Sequence, residues 1–178
     1  MGISVDSFVK AFNTNLKTAN KKGNGDDFAK FIGKHITTQY IPILVKEARC
    51  QGIIDVCTHT PESKEKVVKI NSVSRHIIFI MTIIDLYTDL DIVFENGACV
   101  AQFDKLNEIG AISALISAIP ESEYKEFETV LNMKMDDFYD NEYSVVALLY
   151  NLKQSFSLSE ELIDEALKEV KDKLKKEK

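Results

Sequence analysis

Apolar residues recur along this 178-residue chain at spacings of three and four, and that period predicts helices over most of its length. In SVDSFVKAFNTNLKTAN, Val5, Phe8, Val9, Phe12 and Leu16 share one face, with Ser4 or Asp6 placed to cap it. KKGNGDD, residues 21–27, breaks the pattern as a loop. A second helical region starts at Asp26 or Asp27 and sets Phe28, Phe31, Ile32, His35 and Ile36 on one side. It continues through Tyr40 toward IPILVKEARCQGIIDVC, where Pro42 predicts a kink or a fresh helix near Ile41, and Gly52 an end or a loosening. THTPESKEK, residues 58–66, reads as a surface loop.

The most apolar run is NSVSRHIIFIMTIIDLYTDLDIVF, residues 71–94. Asn71 or Ser72 is a good N-cap, because a short oxygen-bearing side chain accepts from the free N–H groups of a first turn. Val73, His76, Ile77, Ile80, Ile83, Ile84, Tyr87 and Leu90 form one stripe, and Ile78, Phe79 and Met81 widen it to nearly every face. A helix apolar all round must be covered all round. The clustered isoleucines also suit a strand, but length and cap favour a helix over about residues 72–90. Arg75 and Asp85 bound the run short of the ~20 apolar residues that a bilayer crossing needs, so it reads as the central helix of a bundle.

Asn96-Gly97 signals a turn, and the segment around it, residues 92–101, is either a loop or a short hairpin. QFDKLNEIGAISALISAIP then supplies Phe103, Leu106, Ile109, Ile112, Leu115, Ile116 and Ile119, a mostly buried helix interrupted at Gly110 and ended by Pro120. In ESEYKEFETVLNMKMDDFYDNEY, Tyr124, Phe127, Val130, Leu131, Met135 and Phe138 share a face; EYSVVALLYNLKQSF reads as a further short helix. The last stretch, SLSEELIDEALKEVKDKLKKEK, opens on a capping box, Ser157 with Glu160. Its narrow stripe of Leu162, Ile163, Ala166, Leu167, Val170 and Leu174 runs along a charged rod, acidic at its start and lysine-rich at its end, as the helix dipole favours. The expected fold class is mainly α: a single-domain multi-helix bundle over residues 1–156, with a charged amphipathic C-terminal helix over residues 157–178.

Composition narrows the function. The 45% hydrophobic and 28% charged fractions are those of a globular chain, and seven glycines with three prolines are too few for a turn-rich β design. A net charge of −6, with no basic cluster beyond Lys21-Lys22 that is clear of acids, weighs against nucleic acid and anionic lipid as partners. The cysteines Cys50, Cys57 and Cys99 are odd in number and widely spaced, and MGISVDSFVK has Asp6 and Lys10 where an apolar signal core would lie. A reducing cytoplasm is the expected setting. Met1-Gly2 lacks the following Ser or Thr that N-myristoylation prefers.

Candidate chemistry is thin. Asp85 and Asp89 stand four apart, so one helix face would carry both carboxylates, as a divalent cation or an acid–base pair requires. With Asp91, their plainer reading is the solvated end of a core helix. Cys50, Cys57 and His59 lack the close cysteine pair and fourth ligand of structural zinc, and read as buried thiols beside a loop. His35 and His76 lie on apolar faces and read as core histidines; no hydrolase signature surrounds them. Gly23-Asn24-Gly25 lacks the lysine and preceding strand of a phosphate loop. Met133, Met135, Phe138 and Tyr139 read as core before partner surface. No catalytic, metal or cofactor residue is expected.

Three stretches, NSVSRHIIFIMTIIDLYTDLDIVF, FDKLNEIGAISALISAIPESEYKEFETVLNM and DDFYDNEYSV, together resemble a family of small helical proteins of tailed bacteriophages. The matching residues are Leu86, Tyr87, Thr88 and Asp89; Phe103, Asp104, Leu106, Asn107 and Gly110; and Ile119, Pro120, Glu123, Glu126 and Phe127, within residues 71–145. The resemblance implies a non-enzymatic phage protein of the morphogenesis or virion-structure genes. It would act through protein–protein contacts as a virion component or tail-assembly factor, in the infected host's cytoplasm or in the virion. Phage structural or assembly proteins, or further copies of the chain, are the expected partners, and Leu162, Ile163, Ala166, Leu167, Val170 and Leu174 the expected docking element. Two other readings stand beside it: a cytosolic inhibitor or regulator whose acidic surface competes for a host protein, and a metal-dependent enzyme built on Asp85, Asp89 and His76.

Overall fold

The first helix, α1 (Val5–Lys22), is capped by Ser4, whose side chain accepts from the Ser7 N–H, and is closed by Gly23 in the left-handed region at φ 62°. Only a residue without a Cβ adopts that conformation at no steric cost, and it lets the Gly23 N–H reach the Ala19 carbonyl. In this computed structural model, which describes residues 2–23, 25–59, 69–95 and 97–143, the chain is mainly helical. It divides into two compact units, Met1–Asn132 and Met133–Lys178.

In the first unit, α2 (Gly25–Lys34), α3 (Ile43–Cys57), α4 (Ser72–Tyr87), α5 (Ala98–Glu108), α6 (Ala111–Ala118) and the start of α7 (Glu121–Tyr143) follow α1. Among the described residues, four two-residue strands tie their ends. β1 (Ile3–Ser4) runs parallel to β4 (Leu90–Asp91), with Ile3 opposite Leu90, and β2 (Thr58–His59) pairs antiparallel with β3 (Lys69–Ile70). An isolated bridge joins Ile36 to Thr88.

The centre is α4. Asn71 caps it, accepting from the Ser74 N–H at 3.0 Å, and Phe79 through Ile84 are buried without a break, Thr82 among them. From Phe79 to Ile84 the isoleucine-rich helix is thus covered all round, and it packs against α3, α5 and α6. Each large apolar side chain taken fully from water stabilises the fold by about 1.5–3 kcal/mol, which makes this helix the largest single contributor.

The structure corrects several sequence expectations. The central helix stops at Tyr87, not near residue 90. Thr88 donates its hydroxyl to the Ile84 carbonyl at 2.6 Å and accepts from the Leu90 N–H at 3.1 Å, which turns the chain into β4. No hairpin spans the described residues of 92–101, because β4 takes its partner from the N-terminus, and Gly97, at φ 75°, serves as the entry to α5. The helix expected through residues 103–119 is two, since Gly110 at φ 73° separates α5 from α6. The region continuing to Tyr40 leaves the helix at Lys34; the Thr37 N–H bonds instead to the Tyr87 carbonyl at 2.9 Å, satisfying an acceptor that the end of α4 would leave unpaired. Pro42 does begin a fresh helix, and Gly52 lies inside it without ending it. Residues 60–68, the helix expected over residues 144–156 and the C-terminal helix over residues 157–178 lie outside the described residues.

Candidate functional site

Helix α3 divides its apolar residues between the core and the water, and buries a lysine. Its sequence is apolar on every side, so the pattern alone does not choose a buried face. The fold buries Lys46, Cys50, Ile53, Ile54 and Cys57, and leaves Leu44 73% exposed and Val56 63% exposed, with Ile43 and Val45 also in water. Lys46, the one cation among these, has 0% exposure.

What draws Lys46 inward is a carboxylate cluster on α7. Its ammonium lies 2.9 Å from Glu123 Oε2 and also bonds Glu126. The same Glu123 oxygen accepts from the Ile41 N–H at 3.0 Å and from the Tyr87 hydroxyl at 2.6 Å. Lys46 Nζ also stands 5.6 Å from the centre of the Tyr40 ring, a cation–π distance. Cys50, one turn on, donates its thiol to the Phe127 carbonyl at 3.9 Å. The cluster therefore clamps the start of α3 to the end of α4 and the first turns of α7.

Its electrostatics are those of a lock. Burial alone would lower the Lys46 pKa, but hydrogen bonds to Glu126 and Glu123 outweigh it and hold the ammonium above its ordinary range. Burial likewise opposes Glu123 ionisation, yet the bonds from Tyr87, Lys46 and Ile41 keep that carboxyl below the usual glutamate range. Burial, then the neighbouring Glu123 carboxylate, pushes the Tyr87 phenol far up. At neutral pH the set is an ammonium, a carboxylate and a neutral phenol, none of them poised to exchange a proton.

With Lys46 held in, the outward side of α3 carries Leu44, Ala48, Gly52 and Val56 among the exposed polar residues Glu47, Arg49, Gln51 and Asp55. Beside it a groove of about 270 Å³ runs between α3 and α4, lined by Ala48, Arg49, Gly52, Ile53 and Val56 on one side, Ile78 and Thr82 on the other, and Phe94 from the loop before α5. A second hollow of about 320 Å³ lies among α4, α5 and α6, where His76, Asn107 and Ser113 rim a floor of Ile80, Phe103 and Ile112.

The residues singled out in the sequence are dispersed. Asp85 and Asp89 do not share a helix face, because α4 ends between them. Burial raises the Asp85 carboxyl pKa, opposed by Arg49 and reinforced by Asp91. Asp89 belongs to another pair: His35 Nδ1 donates to its Oδ1 at 2.9 Å, and the rings of Phe8 and Phe31 stand edge-on to the imidazole at 4.9 Å. His35 is the satisfied histidine its pattern predicts. His76 is not a core residue; the first turns of α4 overhang the core, and its imidazole is exposed, edge-on to Phe103 at 6.3 Å. Cys50, Cys57 and Cys99 are buried free thiols, and burial raises the pKa of Cys57 and Cys99. Among the described residues, no group of three or more His, Cys, Asp and Glu could hold a metal ion, and no helix is long and apolar enough to cross a membrane. In the second unit Met135 is buried, while Met133 and Tyr139 are exposed, Tyr139 edge-on to Phe138 at 6.0 Å. Leu162, Ile163, Ala166, Leu167, Val170 and Leu174 lie outside the described residues.

Sequence reasoning missed the Lys46 cluster and the outward face of α3. A signal existed: a lone lysine in the apolar run IPILVKEARC, and two glutamates three apart, Glu123 and Glu126, on one face of a later helix. Compared with protein-family models, curated proteins and solved structures, the chain matches none.

Proposed function

We propose that this is a non-enzymatic protein of a tailed-phage particle or of its assembly, binding other proteins through the outward face of α3. The observation that carries the reading is the exposure of Leu44 and Val56, with Ile43 and Val45, on a helix whose lysine is buried. A surface helix ordinarily turns its apolar stripe to the core, and contiguous apolar area left in water marks a contact surface. The clamp on Lys46 fixes that face in place, so a partner meets a preformed surface and spends little ordering it. The phage context rests on the resemblance over residues 71–145. Six of the residues carrying it do structural work at the clamp and at the end of α4: Tyr87, Thr88, Asp89, Glu123, Glu126 and Phe127. The virion or the infected cell's cytoplasm is the corresponding location.

The test is a full-length Leu44→Glu/Val56→Glu variant supplied during infection. Wild type is expected to copurify with particles or assembly intermediates, and the variant to be lost from them while melting as wild type does. Equal copurification of both overturns the reading.

A further inference from the structure

We propose that the outward face of α3 pairs with the same face of a second copy of this chain, antiparallel, about a twofold axis at Gly52. The inference deepens the proposed function and rests on its reading of this face as a contact surface. It commits to a second copy because the order of residues along α3 is self-complementary about that glycine. Three residues before Gly52 stands Arg49, and three after it Asp55; four before stands Ala48, and four after it Val56. All four are exposed. A closed twofold contact requires residue i to meet residue j while j meets i. Turning α3 over on itself about Gly52 satisfies this with unlike partners: Arg49 meets Asp55 of the second copy at both ends of the contact, and Ala48 meets Val56.

Size is matched as well as charge. A Cβ built on Gly52 would meet no atom of a neighbouring element within 4 Å, so the helix backbone is open to contact at its midpoint. Helices approach more closely where the residues at the crossing are small, and the pairing sets the smallest residue at the crossing point. The small residue Ala48 then receives the larger Val56. The net charge of −6 opposes self-association by a repulsion that physiological salt screens over about 8 Å. At the contact itself the charges that meet are opposite.

Both members of the charge pair have neighbours in their own chain. Asp55 accepts from the Gln51 side chain at 2.9 Å within its own helix, which leaves its second oxygen for a guanidinium. Arg49 already acts on Asp85 of α4, so the informative single substitution is on Asp55, which leaves that relationship intact.

The experiment is sedimentation of full-length chains across a concentration series, with melting curves to establish that each variant folds. Wild type is expected to dimerise. Asp55→Arg puts like charges together twice and should weaken the dimer about tenfold or more, because the twofold counts every substitution double. Adding Arg49→Asp to that variant should restore it. A Gly52→Cys variant treated with a short bis-maleimide should link two chains where wild type, whose cysteines are buried, does not. A wild type that stays monomeric overturns the pairing, as does a dimer indifferent to Asp55→Arg or one that does not cross-link at residue 52. In each case the wider reading of the face survives if Leu44→Glu/Val56→Glu still loses its particle association, and falls with it if that variant does not.

Discussion

The Tyr87 hydroxyl donates to Glu123 Oε2 over 2.6 Å, joining the last turn of α4 to the first turn of α7 across 36 positions of sequence. The same oxygen receives the Lys46 ammonium and the Ile41 N–H. One buried carboxylate thus holds three segments together.

Removing that carboxylate should be far worse than removing one donor. Tyr87→Phe deletes a hydrogen bond to a charged acceptor that keeps its other partners, and should lower stability by about 1.5–3 kcal/mol. Glu123→Leu leaves the Lys46 ammonium buried with Glu126 alone, and should cost about 3–5 kcal/mol. Adding Lys46→Met to that variant removes the stranded charge and should recover much of the loss. Urea unfolding of the four proteins checks the order; a double variant no better than Glu123→Leu would show that Lys46 is not the stranded group.

The cluster also sets how stability responds to pH. Glu123 is held below the ordinary 4.5, so the unfolded chain binds its proton first on acidification. The stabilisation from this group is complete above about pH 4.5 and fades as pH falls through the lower, folded value. Lys46 and Tyr87 are held above their ordinary 10.5 and 10.0. There the unfolded chain loses protons first, so stability falls as pH climbs beyond about 10. Denaturant midpoints measured across pH should show a plateau between these limits, and Glu123→Gln should flatten the acid limb.

Asp85 has the opposite sign. Its carboxyl is pushed up by burial and by Asp91, with Arg49 in partial opposition, so its ionised form is penalised in the folded chain at neutral pH. Asp85→Asn should therefore raise the melting temperature at pH 7. The gain should shrink on acidification and vanish below about pH 3.8, where the wild-type carboxyl is protonated folded or unfolded.

The central helix was legible in the sequence because it is apolar on all sides and opens on Asn71, so periodicity, cap and burial agree. The burial of Lys46 on α3 was not. Lys46 is drawn inward by Glu126, 80 residues away, and no local pattern encodes a pairing of that range. The end of α4 was misjudged for a related reason. The stripe continues to Leu90, which is indeed buried, but as the partner of Ile3 in a two-residue strand too short to leave an alternating pattern. His76 shares the period of the stripe, yet periodicity says which side a residue faces and not whether the core extends that far along the helix.

Two contact elements, one structural and one read from sequence, can be separated by additivity. The outward face of α3 carries Leu44 and Val56; residues 157–178 carry the stripe Leu162, Ile163, Ala166, Leu167, Val170 and Leu174. Deleting residues 157–178 removes that stripe while keeping the outward face of α3. It should weaken association with particles. If the two elements grip separate surfaces, the losses in binding free energy from the deletion and from Leu44→Glu/Val56→Glu should add within about 0.5 kcal/mol when combined. If both serve one contact, the combined protein should lose no more than the worse of the two. Quantitative copurification of all four proteins with particles distinguishes these outcomes, and an association untouched by the deletion would leave α3 as the sole contact element of the two.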